Sequence, residues 1–520
     1  MRTFAGLLSL WLSCAVALPA PAPQRSGIYV PFYDATANNH TSAARGWNSF
    51  GLQANPAAAP TFVFDDLHFA QQCDQLVTRR GGEYYCSLDS GWSGNGGDPF
   101  ARIVPEPGVF TTFSPVLKGL ADHLHERGLK LGVYLLPGAF EGDQDLTIEG
   151  TNVRLGDVLD FNEPGYNLRR AFKWGEPGVQ EWHDSVIRNL ASLGVDMIKL
   201  DFLTPGSPDA GEELPKDTSL SAVNYHNSIQ RLAPWIRLDL SWKLVREEPV
   251  WSRWRASADA LRLDQDINNA QAARLVSFEI VQRAIENYRL FINEQTQNAT
   301  RRGHGIRIRP DMDNMFVGNA APLGGLSNVE RYTVAIHWIG AGANLITGSD
   351  MTALDALGRE LLFNDEALDV ADFTAQFPMQ PRNPGTGRVA ARQLQAWVAG
   401  PDSAGTAIVV LANYGPDQGQ GGFRDSLTGI QLVDVTLETL GLGRRSWSVR
   451  RVWGGARAGT MARGRYLLLG IALVALSFAW WALQMFSSLF SSAGWSPQIR
   501  TSRNARWTFV KRPDYLFVFS

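Results

Sequence analysis

The chain has 520 residues, with 48 Lys and Arg against 51 Asp and Glu and a formal charge of -3. That balance excludes a basic nucleic-acid binder and an acidic tail protein, and 45% hydrophobic residues exclude disorder on a large scale. The length suits one large domain plus a smaller one. Three Cys without a C-x-x-C spacing exclude a disulfide scaffold and give no support to a structural zinc site.

In chain order, residues 1–17 read as a signal peptide: Arg2, an apolar run from Phe4 to Val16, and Ala15-Val16-Ala17 as a small-x-small cleavage site. Its removal takes Cys14 away and leaves Cys73 and Cys86, which an oxidising compartment is expected to join, with two buried free thiols as the alternative. The sequons at Asn39 and Asn298 fit a secreted glycoprotein.

Residues 26–385 alternate short apolar strands with helical segments. Strands are expected at Tyr84 to Leu88, Leu131 to Leu135, Met197 to Leu200, Ile236 to Leu240, Ala260 to Leu263 and Asn344 to Ile346. The clearest helix is Val179 to Leu193, in which Trp182, Val186, Ile187, Leu190 and Leu193 recur at helical spacing before Gly194 ends it. Several such units predict an α/β fold, a (β/α)8 barrel of the TIM type, whose chemistry lies at the C-terminal ends of the strands. The polar residues expected there are Asp89, Tyr134, Lys199, Asp201, Ser241, Trp242, Asp264, Asp266, Asp311, Asp313 and Asp350. Carboxylates with aromatics and no His cluster are what glycoside hydrolysis requires, one as nucleophile and one as acid/base. A bound divalent cation is the minor alternative, because the carboxylates are scattered over different strand ends without ligand spacing.

Residues 386–456 change texture: Gln393 to Val398, Thr406 to Leu411, Gln431 to Leu437 and Ser446 to Val452 read as strands of a small C-terminal antiparallel β-sandwich. Four strands are fewer than the seven or so that a sandwich commonly has, so the domain reads as incomplete. Residues 463–490 are hydrophobic, and Tyr466 to Met485 is long enough for a transmembrane helix. The flanking arginines do not satisfy the positive-inside rule, which leaves a membrane anchor and an aberrant C-terminus both open. Residues 491–520 are expected to be a tail outside the fold.

Several segments together resemble glycoside hydrolase family 27, the α-galactosidase (melibiase) and α-N-acetylgalactosaminidase family. Gly46-Trp47-Asn48-Ser49-Phe50 is similar to G-W-N-S-W, and Leu88-Asp89-Ser90-Gly91-Trp92 to I-D-D-G-W. His125 to Tyr134 resembles H-s-k-G-L-K-x-G-i-Y, and Gly194 to Asp201 resembles G-V-D-Y-L-K-Y-D. Asp311 to Asn319 resembles D-P-D-M-L-x-V-G-N, and Leu345 to Asp350 resembles L-L-I-G-N-D. The joint order of these motifs is specific.

The resemblance implies Asp201 as nucleophile, with Lys199 two residues earlier to keep it ionised. The family pattern W-R-x-x-x-D-I can be laid on Trp254-Arg255 with Asp259, or on Leu261-Arg262 with Asp266-Ile267; Asp266 is preferred as acid/base, with Arg262 as its neighbour and Asp259 as runner-up. The implied reaction is retaining hydrolysis of terminal α-galactosyl residues without metal or organic cofactor, with carboxyl groups about 5 to 5.5 Å apart. Trp47 and Trp242 are expected as platforms, or else as core, with Asp89, Ser90, Tyr134 and Lys199 around the sugar.

Ser90 replaces the family's second Asp and weakens one hydroxyl contact. Ser241 resembles the α-N-acetylgalactosaminidase members and leaves room at C2. An α-N-acetylgalactosaminidase or β-L-arabinopyranosidase therefore stands as the alternative within the family, and a non-catalytic carbohydrate-binding surface protein on a decayed barrel as the alternative of another class. The expected partner is a carbohydrate and not a nucleic acid.

Overall fold

The computed structural model describes residues 29–79, 82–206, 213–302, 304–382, 393–423, 432–443, 446–453, 457–461, 467–470 and 515–519. Eight parallel strands run in sequence order: β1 Arg45–Asn48, β2 Tyr84–Leu88, β3 Lys130–Leu135, β4 Val195–Leu200, β5 Arg237–Leu240, β6 Ala260–Arg262, β7 Arg309–Asp311 and β8 Leu345–Thr347. They pair as β7-β6-β5-β4-β3-β2-β1-β8. The remaining gap is bridged just beyond β7, where Met315 N–H donates to Ile346 O at 2.8 Å and Thr347 Oγ1 donates to Met315 O at 2.6 Å. Every residue of β2, β4 and β5 is buried, as parallel strands with helices outside and side chains inside must be. This is the expected (β/α)8 architecture. β7 escaped the pattern because Arg309-Pro310-Asp311 has no apolar run for sequence reasoning to catch.

Helices α1 Asp66–Cys73, α2 Lys118–His125, α3 Val179–Ser192, α4 Ser219–Leu232, α5 Val250–Ser257, α6 Phe278–Arg302, α7 Asn328–Ala341, α8 Ala356–Phe363 and α9 Asp365–Thr374 supply the connections between and after the strands. The predicted Val179 to Leu193 helix is α3, with Leu193 as its C-cap and Gly194 following at φ +86°. A side chain there would be doubly excluded, because a Cβ on Gly194 would lie 2.7 Å from that of Ala121. Cys73 at the end of α1 and Cys86 in β2 form the expected disulfide. Asn39 is exposed in a turn at φ +66°, where a glycan could be accommodated. Asn298 falls in the last turns of α6, and its side chain lies outside the described residues.

The C-terminal sheets hold more strands than the sequence predicted. β9 Gln380–Pro381, β10 Leu394–Ala399, β11 Ala407–Asn413, β12 Leu432–Val435, β13 Trp447–Arg451, β14 Arg457–Met461, β15 Leu467–Gly470 and β16 Tyr515–Phe519 make a six-stranded sheet, β9-β10-β11-β16-β13-β14, and a β12-β15 pair. Ala396, Val398, Val409, Leu411, Val435, Trp447 and Val449 form an apolar cluster within these strands.

Two expectations are corrected here. Tyr515–Phe519, expected in a tail outside the fold, is an inner strand between β11 and β13. Leu467–Gly470, expected to begin a membrane helix, pairs in antiparallel fashion with β12. A continuous apolar run satisfies a strand as well as a span, and pairing decides. Among the described residues no helix is long and apolar enough to cross a membrane. The signal peptide and residues 471–514 lie outside the described residues.

The sheets dock on the barrel through polar contacts from buried side chains. Tyr414 Oη meets His337 Nε2 of α7 at 2.7 Å and accepts from Trp397 Nε1 of β10 at 2.8 Å, while Gln282 of α6 donates to Tyr414 O at 2.9 Å.

Candidate active site

Parallel register sets the floor of the site. Lys199 of β4 pairs with Tyr134 of β3 on one side and with Asp239 of β5 on the other, so these side chains form one row across the barrel. Asp201 follows directly, its N–H donating to Leu135 O at 2.9 Å, which carries the ladder one step beyond β4. Above this row a cleft of about 490 Å³ opens at the C-terminal strand ends, lined by Asp89, Ser90, Tyr134, Lys199, Asp201, Trp242 and Asp266 among others. Most of the predicted polar residues are therefore brought together, in the place where a (β/α)8 barrel carries its chemistry.

Lys199 Nζ donates to Asp89 Oδ2 at 2.8 Å and lies 4.0 Å from Asp201 Oδ2. Burial works to lower the Lys199 pKa, but Asp89 and Asp201 outweigh it and hold the ammonium above its ordinary range. Burial likewise opposes ionisation of Asp89, yet Lys199, the Ser90 N–H and the Asn48 amide hold it below the ordinary carboxylate range. Asp201 is raised: burial dominates, Lys199 opposes it, and Asp266 adds repulsion. Asp266 lines the same cleft as Asp201. Burial, with Asp201 next, pushes the Tyr134 phenol well above its ordinary range, so it remains a hydrogen-bond donor beside the carboxylate.

Arg262, buried at the end of β6, binds three carboxylates. Its Nε donates to Asp311 at 2.9 Å, and its NH1 donates to Asp266 Oδ1 at 2.9 Å and lies 3.1 Å from Asp313 Oδ2. Asp266 keeps its side chain about half exposed toward the cleft. Asp313, also held by Ile267 N–H, is pushed up to about 6 by burial against the pull of Arg262. Asp311 and Asp313 thus support Arg262 and do not line the cleft.

Asp259 has a different environment. It precedes β6 at the opposite end of the barrel, fully buried, and accepts from Thr36 Oγ1, from the Asn38 amide at 2.9 Å and from Leu238 N–H at 2.7 Å. Both oxygens are occupied in tying the N-terminal segment to the barrel, and it takes no part in the cleft.

Other expected residues are redistributed. Trp47 is fully buried, its Nε1 donating to Ser349 O at 2.8 Å and its ring edge-on to Phe62 and Phe69, so it is core and not a platform. Ser241 is buried, with its N–H on Leu200 O, and does not line the cleft. Asp264 is bound by Arg283, and Asp350 accepts from Thr352 N–H at 3.0 Å and from Gln72 at 3.0 Å. Among the described residues no group of three His, Cys, Asp or Glu side chains could hold a metal ion.

Sequence reasoning named Trp242 but missed the rest of the aromatic wall. Phe202 stacks on Trp242 with ring centroids 4.1 Å apart and meets Tyr166 at 4.5 Å, all three lining the cleft. Phe202 and Trp242 have φ of +52° and +95°, strained geometry that points their rings into the site. The only signal was that Phe202 follows Asp201 directly. Tyr166, Asn167 and Arg169 come from the β3–α3 connection, which has no motif to mark it.

No protein-family model matches the chain. Alpha-galactosidase 3 of Hypocrea jecorina is 44% identical over 433 residues, covering 81% of this chain and 68% of that relative. The chain belongs to glycoside hydrolase family 27, the α-galactosidase family. Its fold matches that of a family 27 β-L-arabinopyranosidase from Geobacillus stearothermophilus with a TM-score of 0.65 at 18% identity, covering 92% of this chain and 97% of that one. Alpha-galactosidase I of Mortierella vinacea matches with a TM-score of 0.55 at 16% identity, covering 92% and 97%. The cleft of this family 27 member carries three carboxylates, Asp89, Asp201 and Asp266, with Ser90, Phe50 and Phe202 around them.

Proposed function

We propose that this family 27 member is a secreted, retaining α-galactosidase. Asp201 attacks the anomeric carbon as Asp266 gives its proton to the departing glycosidic oxygen, which yields a glycosyl ester on Asp201. Asp266, now a carboxylate, takes a proton from water, whose oxygen displaces the ester and frees the sugar with its configuration retained.

The observation that carries this reading is the contrast between the two candidate acids: Asp266 lines the same cleft as Asp201, whereas Asp259 is locked at the far end of the barrel. Lys199 neutralises Asp89 and stands behind Asp201, while Arg262 fixes Asp266 on a short lever. The raised pKa of Asp201 also has a use, since a carboxylate poorly stabilised in the ground state gains more as positive charge develops on the sugar. Asp89, Tyr134 and Ser90 are left to meet sugar hydroxyls, and Trp242 offers a ring to the apolar face of a sugar. Residues 1–17 and the disulfide between Cys73 and Cys86 support export.

Ser90 favours a second reading. A neutral hydroxyl in place of a carboxylate gives up a charge-assisted bond to the sugar, which narrows the advantage of galactose over a pentopyranose that lacks the C6 hydroxymethyl group. The test is a panel of 4-nitrophenyl α-D-galactoside, α-D-N-acetylgalactosaminide and β-L-arabinopyranoside. The highest kcat/KM is expected on the galactoside. Preference for the arabinopyranoside selects the second reading, and no turnover of any of the three defeats both.

A further inference from the structure

We propose that Arg169 makes the outer cleft a subsite for a carboxylate on the leaving group, so that acidic aglycones such as uronates are preferred; this rests on the α-galactosidase reading above. The other charged side chains of the cleft are compensated within the chain. Lys199 is paired with Asp89 at 2.8 Å, Asp201 faces Lys199 at 4.0 Å, and Asp266 is paired with Arg262 at 2.9 Å. Arg169 lines the same cleft, yet among the described residues its guanidinium has neither an ion pair nor a hydrogen bond, and its Nε is buried without a partner.

The adjacent residue shows that a partner could have been supplied. Arg170 Nε donates to Glu141 at 2.7 Å and its NH1 to Glu163 O at 3.0 Å. Arg169 instead lies over the Phe140 ring, 5.7 Å from its centroid. Burial lowers its pKa, and the titratable groups that face it are Tyr225, Tyr134 and Asp143. Asp143 lies outside ion-pairing distance of Arg169, and burial raises the pKa of its carboxyl. A desolvated, uncompensated guanidinium is costly to maintain and gains most from a planar oxyanion that accepts two parallel N–H donors.

Position assigns this anion to the leaving group. The floor row of Tyr134 and Lys199 sits within the barrel strands. Arg169 opens the second strand of a two-stranded antiparallel pair, Ala139–Phe140 with Arg169–Arg170, in the long connection after β3, and stands beyond the strand ends with Tyr166 and Asn167. The sugar being cleaved occupies the floor, and the group released points toward this rim.

The experiment compares kcat/KM for 3-carboxyphenyl and 3-carbamoylphenyl α-D-galactoside, matched in size and differing by one charge. For the unaltered chain at low salt the carboxylate should be preferred about tenfold, a preference that shrinks as salt rises. In Arg169→Gln the ratio should fall close to one, and Arg169→Lys should restore part of it. Equal use of both compounds by the unaltered chain overturns the proposal without recourse to any variant, as does an unchanged ratio in a folded Arg169→Gln protein. If neither compound is cleaved, the α-galactosidase reading fails, and calorimetric titration of the intact glycosides decides the subsite separately. Tighter binding of the carboxylate, lost in Arg169→Gln, supports it; equal binding overturns it.

Discussion

Asp201 and Asp266 differ most in their surroundings. Asp201 is buried and raised above the ordinary aspartate value of 3.8, whereas Asp266 is about half exposed on an arginine. Because Asp201 holds its proton more tightly in the folded chain than in the unfolded one, the stability this contributes is present at low pH and lost as pH rises through the raised pKa. Asp201→Asn should therefore cost about 10⁴-fold or more in kcat and yet melt at or above the native temperature at pH 7, with the difference vanishing toward pH 3. A calorimetric pH series checks this; a melting point lowered at pH 7 would show that the charge stabilises the fold. Asp266→Asn should lower kcat by about 10²- to 10⁴-fold with little change in melting temperature. Asp259→Asn should instead destabilise by about 1–3 kcal/mol in chemical denaturation, since it breaks the buried clamp on Asn38 and Leu238 while sparing the chemistry. A dead but fully stable Asp259→Asn would reverse the two assignments. At this scale the sequence was informative at two strand-end motifs, Asp89 and Lys199-Leu200-Asp201, and misleading for Trp47, Asp311, Asp313 and Asp350. A tryptophan beside a motif does not reveal which way its ring turns, and here the ring turns into the core.

Six of the eight barrel strands, all but β1 and β7, were legible from their short apolar runs, and α3 because its stripe and its terminal glycine agree. What escaped were elements whose formation depends on a distant partner. β7 has three residues and a proline, yet it pairs with β6 through Ala260, Leu261 and Arg262. β16 reads as a stray apolar pentapeptide until β11 and β13 are in place on either side of it. Its position gives a direct test: removing residues 515–520 should split the six-stranded sheet and expose both neighbouring edges. The truncated chain should lose solubility and melt well below the full-length chain, as followed by circular dichroism and light scattering. An unchanged melting curve would mean that the strand is dispensable to the fold.

Across the whole molecule, a formal charge of -3 over 520 residues gives no long-range field to gather a charged substrate, and the cleft does its electrostatic work locally through Lys199, Arg262 and Arg169. The C-terminal region packs on α6 and α7 around Tyr414 and reaches, through Gln420, the Arg283 that donates to Asp266 O at 2.9 Å, so it braces the scaffold that holds the site. Fold class was readable from the alternation of strands and helices, but Phe202, Tyr166 and Arg169 of the cleft were not, because they come from connections whose course only the folded barrel defines. The chemistry itself is decided by following 4-nitrophenyl α-D-galactoside hydrolysis by proton NMR from the first seconds. Double displacement by Asp201 and Asp266 releases α-galactose first, with the β anomer growing in only as mutarotation proceeds. β-Galactose as the first product would contradict it.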